Sequence, residues 1–125
     1  MYKYHVEHTW VRQDGDTALI GLSFYAQAHL GEIVFVELPP PGRDIQSGQV
    51  FGLIESAKMT SEMIAPVSGR VVASNADLER QPDLINESPL DQGWITRIRP
   101  SDPSEPEALM DHDSYQAYLA ELPEE

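Results

Sequence analysis

A mostly β fold, a sandwich or barrel of short strands, is what this sequence predicts, and three observations carry it. Apolar runs of four to six residues recur along the first hundred positions. Gly and Pro clusters interrupt them at short intervals. A helical period appears only in the last twenty-odd residues. Short strands with frequent turn signals fit hairpin-connected sheets better than a parallel sheet, which needs long crossovers.

The elements follow in order. Thr17–Leu22 comes after Asp14-Gly15-Asp16, a hairpin-type turn. Ser23 is placed to cap two helical turns over Phe24–Leu30, and Gly31 to end them. The strand Ile33–Leu38 stops at Pro39-Pro40-Pro41-Gly42, because proline donates no ladder hydrogen bond. Val50–Ile54 follows the turn Ser47-Gly48, Arg70–Ala73 follows Pro66-Val67-Ser68-Gly69, and Trp94–Arg99 follows Gly93. In the last segment Ser104-Glu105-Pro106-Glu107 and Asp113-Ser114-Tyr115-Gln116 both have capping-box spacing. Tyr115, Tyr118, Leu119 and Leu122 then share one helical face, which predicts a helix closing one side of the β core. A short internal echo, Gly31-Glu32-Ile33-Val34 against Gly69-Arg70-Val71-Val72, fits a sandwich of two similar halves.

Composition narrows function. The 125 residues read as a single domain, 1–125, with 41% hydrophobic content to fill one core. A formal net charge of −13 repels phosphate backbones and anionic lipid, so no nucleic acid and no membrane is expected as partner. It suits contact with basic protein surfaces. There are no cysteines, which excludes disulfides, thiolate metal sites and thiol chemistry by the chain's own side chains. If the protein handles sulfur or electrons, a cofactor must bring them. No apolar stretch approaches the roughly 20 residues of a membrane span, and the first residues lack a secretory layout. The expected compartment is cytoplasmic.

The side chains do not compose an active site. His5 and His8 fall on opposite faces if their segment is extended, and His29 and His112 are isolated, so no metal site is expected. Ser56, Ser61 and Ser68 lack a nucleophile-elbow context. The glycines form neither a P-loop nor a dinucleotide fingerprint. Lysine is the anomaly: only Lys3 and Lys58 occur. Lys58 sits in a small polar stretch between two apolar ones, the pattern of a hairpin displaying its amine near the tip. An exposed amine on a rigid turn is what a modifying enzyme needs to form an amide.

Glu55-Ser56-Ala57-Lys58 followed by Ala65-Pro66-Val67-Ser68-Gly69 resembles the lipoyl-lysine hairpin of the glycine cleavage system H protein family. His8-Thr9-Trp10-Val11, Ile20-Gly21-Leu22, Tyr25-Ala26-Gln27, Leu30–Pro39, Leu84–Pro89 and Gly93-Trp94 resemble further segments of that family, in its order. The resemblance implies a barrel-sandwich hybrid, the flattened β-sandwich of lipoyl and biotinyl domains, with short helices and a helical C-terminus. It implies lipoic acid joined by an amide to Lys58 Nε, and a carrier that performs no catalysis alone. In the family's cycle the carrier takes an aminomethyl group from glycine decarboxylase to aminomethyltransferase. Dihydrolipoyl dehydrogenase reoxidises the arm, and a lipoate ligase or lipoyl transferase attaches it.

Two departures bear on the cleft that holds the loaded arm. The family's His-Glu-Trp reads His8-Thr9-Trp10 here, so Thr9 stands where an acid faces the arm. Glu7 is adjacent but falls on the other face of an extended strand. The second cleft acid, an aspartate in the family, corresponds to Glu62, with Met59 after the lysine. Losing an acid weakens the case for a cationic cargo. It opens an alternative on the same fold: an H-like lipoate-binding protein carrying sulfur intermediates for a heterodisulfide-reductase-like complex of sulfur oxidation. A biotinyl carrier is a third reading, from Lys58-Met59, but Ala57 replaces the first methionine of that motif.

Overall fold

Two antiparallel sheets face each other in the computed structural model, which describes residues 1–123. The larger has six strands in the order β1 (Tyr2–Tyr4), β2 (Thr9–Asp14), β3 (Thr17–Leu22), β9 (Thr96–Pro100), β8 (Gly69–Ser74) and β5 (Asp44–Ile45). The smaller has three: β4 (Ile33–Glu37), β6 (Val50–Ser56) and β7 (Thr60–Ile64). Val11, Ile20, Ile33, Phe51, Ile54, Met63, Val71 and Ile98 meet between them in one buried apolar core. The mostly β sandwich expected from the sequence is therefore present.

Helix α1 (Phe24–Leu30) forms as its sequence dictates. Ser23 stays extended and its hydroxyl accepts from the Ala26 N–H, while Gly31 at φ 82° ends the helix. Two one-turn helices, α2 (Asp77–Arg80) and α3 (Leu84–Glu87), close one end, and α4 (His112–Ala120) packs on β1. Tyr115 of α4 joins Tyr4, Trp10 and Leu19 in a second, aromatic cluster on the outer face of the larger sheet. The helical face read from the sequence is thus the packed one, with Leu122 just beyond the helix end. Among the described residues no helix is long and apolar enough to cross a membrane.

Three local expectations need correction. Glu105–Ala108 is a 3-10 turn, and Ser104 does not cap it. Ser104 donates to Asp102 instead, and Glu105, inside the turn, accepts from Ser68, so the serine of the expected capping box is engaged elsewhere. The cap of α4 is Asp111, not Asp113. The Tyr4-to-Thr9 segment is a turn rather than a strand, so face alternation does not govern His5, Glu7 or His8 there. Gly69 is not in the left-handed region; a Cβ on it would sit 2.6 Å from the Arg99 carbonyl oxygen. The constraint at Gly69 is close strand approach.

Candidate functional site

Lys58 stands exposed at the tip of the β6–β7 hairpin. The hydroxyl of Ser56 accepts from the backbone N–H groups of Lys58 (3.4 Å) and Met59 (3.2 Å), and the Ser56 N–H donates to the Met59 carbonyl at 2.8 Å. That serine, which has no nucleophile context, fixes the turn. The Ala57 N–H donates to the Glu32 carbonyl at 3.0 Å and ties the tip to the approach of β4. Asn86 on α3 completes the mount. Its Nδ2 donates to the Gly31 carbonyl at 2.8 Å and to Gln27 Oε1 at 3.0 Å, while its Oδ1 accepts from the Ile33 N–H at 2.9 Å. Nothing in the local sequence marks Asn86 for this, because its partners lie more than fifty positions away.

The lysine stem lies against Gly31, where a Cβ would come 3.5 Å from Lys58 Cε. Beside it runs a groove of about 210 Å³ between the edge of β7, helix α1 and the His5–Thr9 turn. Leu22, Leu30, Ile54 and Met63 supply its apolar lining, Met59 adds a second thioether, and Glu7, Thr9 and Glu62 also line it. All three cleft residues named from the sequence are therefore brought together. Their settings differ. Glu62 is exposed on β7, one position from the inward Ser61 and Met63, and so belongs to the rim. Thr9 is fully buried, and its hydroxyl donates to the Ile64 carbonyl at 2.8 Å, linking the two sheets. Glu7 reaches the groove because its segment turns. A larger cleft, about 650 Å³ beside Trp94 and Arg80, is lined by none of these residues, so volume alone does not mark the site.

One groove wall is an aromatic stack. The Tyr25 ring lies 4.6 Å from His8 and 4.0 Å from His29. His8 has φ 72°, the left-handed region that costs a non-glycine residue about 1–2 kcal/mol. Burial pushes the His8 imidazole below its ordinary pKa, against the opposing pull of Glu7. Neither Glu7 nor Glu62 is in an ion pair among the described residues, so the groove is acidic when its histidines are neutral. Among the described residues no group of three or more His, Cys, Asp or Glu is placed to hold a metal.

The residues present fit a slender aliphatic arm ending in sulfur. The amine is exposed on a fixed turn, Gly31 leaves room for the stem, and the adjacent groove offers hydrocarbon and two polarizable thioethers.

Comparison with known proteins agrees with this geometry. The family model described as glycine cleavage H-protein matches residues 2–122. A glycine cleavage system H protein of Brevibacillus brevis is 49% identical over 119 residues, covering 95% of this chain and 94% of that protein. A mitochondrial glycine cleavage system H protein of Oryza sativa subsp. indica is 47% identical, covering 95% of this chain and 73% of its own length. The crystal structure of a glycine cleavage system H protein from Mycobacterium marinum superposes with a TM-score of 0.86 at 29% identity, covering 95% and 96% of the two chains.

Proposed function

The chain belongs to the glycine cleavage H-protein family, and from that premise we propose that Lys58 is its lipoyl attachment site and that the adjacent groove receives the arm. The protein is a non-catalytic lipoyl carrier of the glycine cleavage system, and the single observation that supports Lys58 is its exposed place on the Ser56-locked tip beside that groove. When bound, lipoic acid supplies a disulfide that accepts an aminomethyl unit.

Everything else is done by the chain. Ser56, Ala57 and Asn86 fix the tip, so the amine is presented at a constant place to an attaching enzyme and to each partner. Leu30, Ile54 and Met63 exclude water from the groove floor, and Glu7 and Glu62 hold negative charge at its side. A protonated amine in the groove gains from those exposed carboxylates, a contact worth about 0.2–1 kcal/mol after solvent screening. Thr9 contributes none of that charge; it holds β7 against β2.

Membership implies work with the other glycine cleavage components. We assign the finer partners as glycine decarboxylase, aminomethyltransferase and dihydrolipoyl dehydrogenase, with a lipoate ligase or lipoyl transferase acting on Lys58, all on one carrier domain in the cytoplasm. The relatives reported above are named glycine cleavage system H proteins and lend no support to the sulfur-carrier or biotinyl alternatives.

Treatment with lipoate ligase should add one lipoyl mass, and Lys58→Arg should abolish it without changing thermal stability. Addition at Lys3, or persistent labelling of Lys58→Arg, would overturn the assignment. The lipoylated native protein should then support glycine–bicarbonate exchange with a cognate decarboxylase. Sulfur loading of the reduced arm with no exchange would move the carrier to the other pathway.

A further inference from the structure

We propose that Tyr115, on the C-terminal helix, is a positioning residue that fixes His8 in the groove wall as the uncharged tautomer carrying its proton on Nε2. The Tyr115 hydroxyl lies 2.7 Å from His8 Nδ1 and 2.7 Å from the Ser23 hydroxyl. Ser23 closes the ring from the other side, because its backbone N–H donates to the His8 carbonyl at 2.9 Å. The left-handed backbone of His8 is thus held at its carbonyl by the same residue that, through Tyr115, holds its ring.

The hydrogens have one arrangement that satisfies every group. Ser23 Oγ already accepts from the Ala26 N–H as the cap of α1. Its own O–H donates to Tyr115, and the Tyr115 O–H donates to Nδ1, which must then carry no proton. A protonated His8 reverses the chain: Nδ1–H donates to Tyr115, Tyr115 donates to Ser23, and the Ser23 hydrogen loses its acceptor. Ser23 is 1% exposed, so that hydrogen has no water to turn to. Tyr115 remains a donor across the working range, since burial pushes its pKa to about 12.

Other groups face His8 from each surrounding element. Glu7 favours its charged form, while His5 and His29 oppose it. Tyr25 and Tyr118 offer ring faces at 4.6 and 6.2 Å, and Glu62 lies across the groove. Only the Tyr115 hydroxyl bonds the ring among the described residues. Burial acts in the same direction as the hydrogen-bond chain, lowering the His8 pKa. The sign follows: the unfolded chain takes up the proton first, so the contribution is complete above the ordinary value of 6.5 and is lost as pH falls toward the depressed folded value. On the arm-groove reading above, an uncharged His8 leaves Glu7 and Glu62 to set the groove's charge and spares a cationic cargo a repulsive neighbour.

The test uses the full, unmodified chain, so it stands apart from the Lys58 assignment. Long-range proton–nitrogen correlation of the imidazole ring at about pH 7.5 should show His8 protonated on Nε2 and bare on Nδ1. Tyr115→Phe should mix the tautomers and raise the His8 pKa by about 0.5 or more, leaving His112 unmoved. If Tyr115→Phe does not fold, Ser23→Ala, which leaves Tyr115 able to donate to Nδ1, should keep His8 protonated on Nε2. His8 protonated on Nδ1 in the native protein or in Ser23→Ala, or a His8 pKa that a folded Tyr115→Phe does not raise, would overturn the proposal.

Discussion

On the three-stranded sheet the outward positions are Phe35, Glu37, Leu53, Glu55, Thr60 and Glu62, aligned across β4, β6 and β7, and all but half-buried Leu53 are exposed. On the six-stranded sheet the outward Tyr4, Trp10 and Leu19 are buried beneath α4 and its approach. Beyond the covered patch the same face carries Arg12, Arg70, Arg97 and Arg99, half of the chain's eight basic residues. The hairpin sheet has three carboxylates and no cation on its outer face. Both sheets alternate with period two, yet one face has become a second core and the other has stayed open beside Lys58. Covering a face gives stability; leaving one bare keeps the hairpin accessible, with its three carboxylates facing solvent.

That contrast sets the largest expected effect. Trp10 is fully buried, and its Nε1 donates to the carbonyls of Leu22 (2.8 Å) and Pro89 (3.0 Å). Gly21 makes room for the ring, since a Cβ there would sit 2.5 Å from it. Trp10→Ala should cost about 3–5 kcal/mol in urea unfolding followed by circular dichroism. Phe35→Thr on the open face should stay within about 0.5 kcal/mol. Equal losses would mean that the hairpin sheet's outer face is structural after all.

The same contrast shows what the sequence makes legible. Helix α1 is readable because Ser23 and Gly31 act on their immediate neighbours. The Lys58 hairpin is readable because two apolar runs flank it. Alternation identifies which residues share a face, but not that α4 returns from a hundred positions away to cover Tyr4 and Trp10. The C-terminal caps are ambiguous in the sequence for a local reason: Asp102, Ser104, Asp111 and Asp113 are all competent acceptors, and their geometry selects Asp111. Left-handed φ at a histidine has no residue signal comparable to glycine, so the turn that brings Glu7 into the groove was hidden.

A smaller effect tests the seam between the sheets. Thr9→Val keeps the side chain's shape but leaves the Ile64 carbonyl without its donor. The expected loss is about 1–3 kcal/mol, with the β7 amides exchanging faster than those of β3. No change in either would show that Thr9 is not what holds β7 to the larger sheet.

The smallest expected effect concerns the covering helix itself. The Asp111 carboxylate accepts from the Ser114 N–H at 2.8 Å, and that bond holds its pKa below the ordinary carboxylate value. A depressed folded pKa means that the unfolded chain binds the proton first. The charge-dependent part of the cap is therefore complete above the unfolded-state pKa and is lost as pH falls through the folded one. Asp111→Asn keeps an acceptor but cannot titrate, whereas Asp111→Ala loses both acceptor and charge. At neutral pH the thermal midpoints should rank native, then Asn, then Ala, because a carboxylate also opposes the positive end of the helix. As pH falls below the carboxylate range, the native protein should converge on Asn while Ala remains lower. A native-to-Asn gap that does not change with pH would show that the carboxylate's charge adds nothing. An Ala variant equal to native at neutral pH would show that α4 is held by Tyr115 and the aromatic cluster alone, with its cap idle.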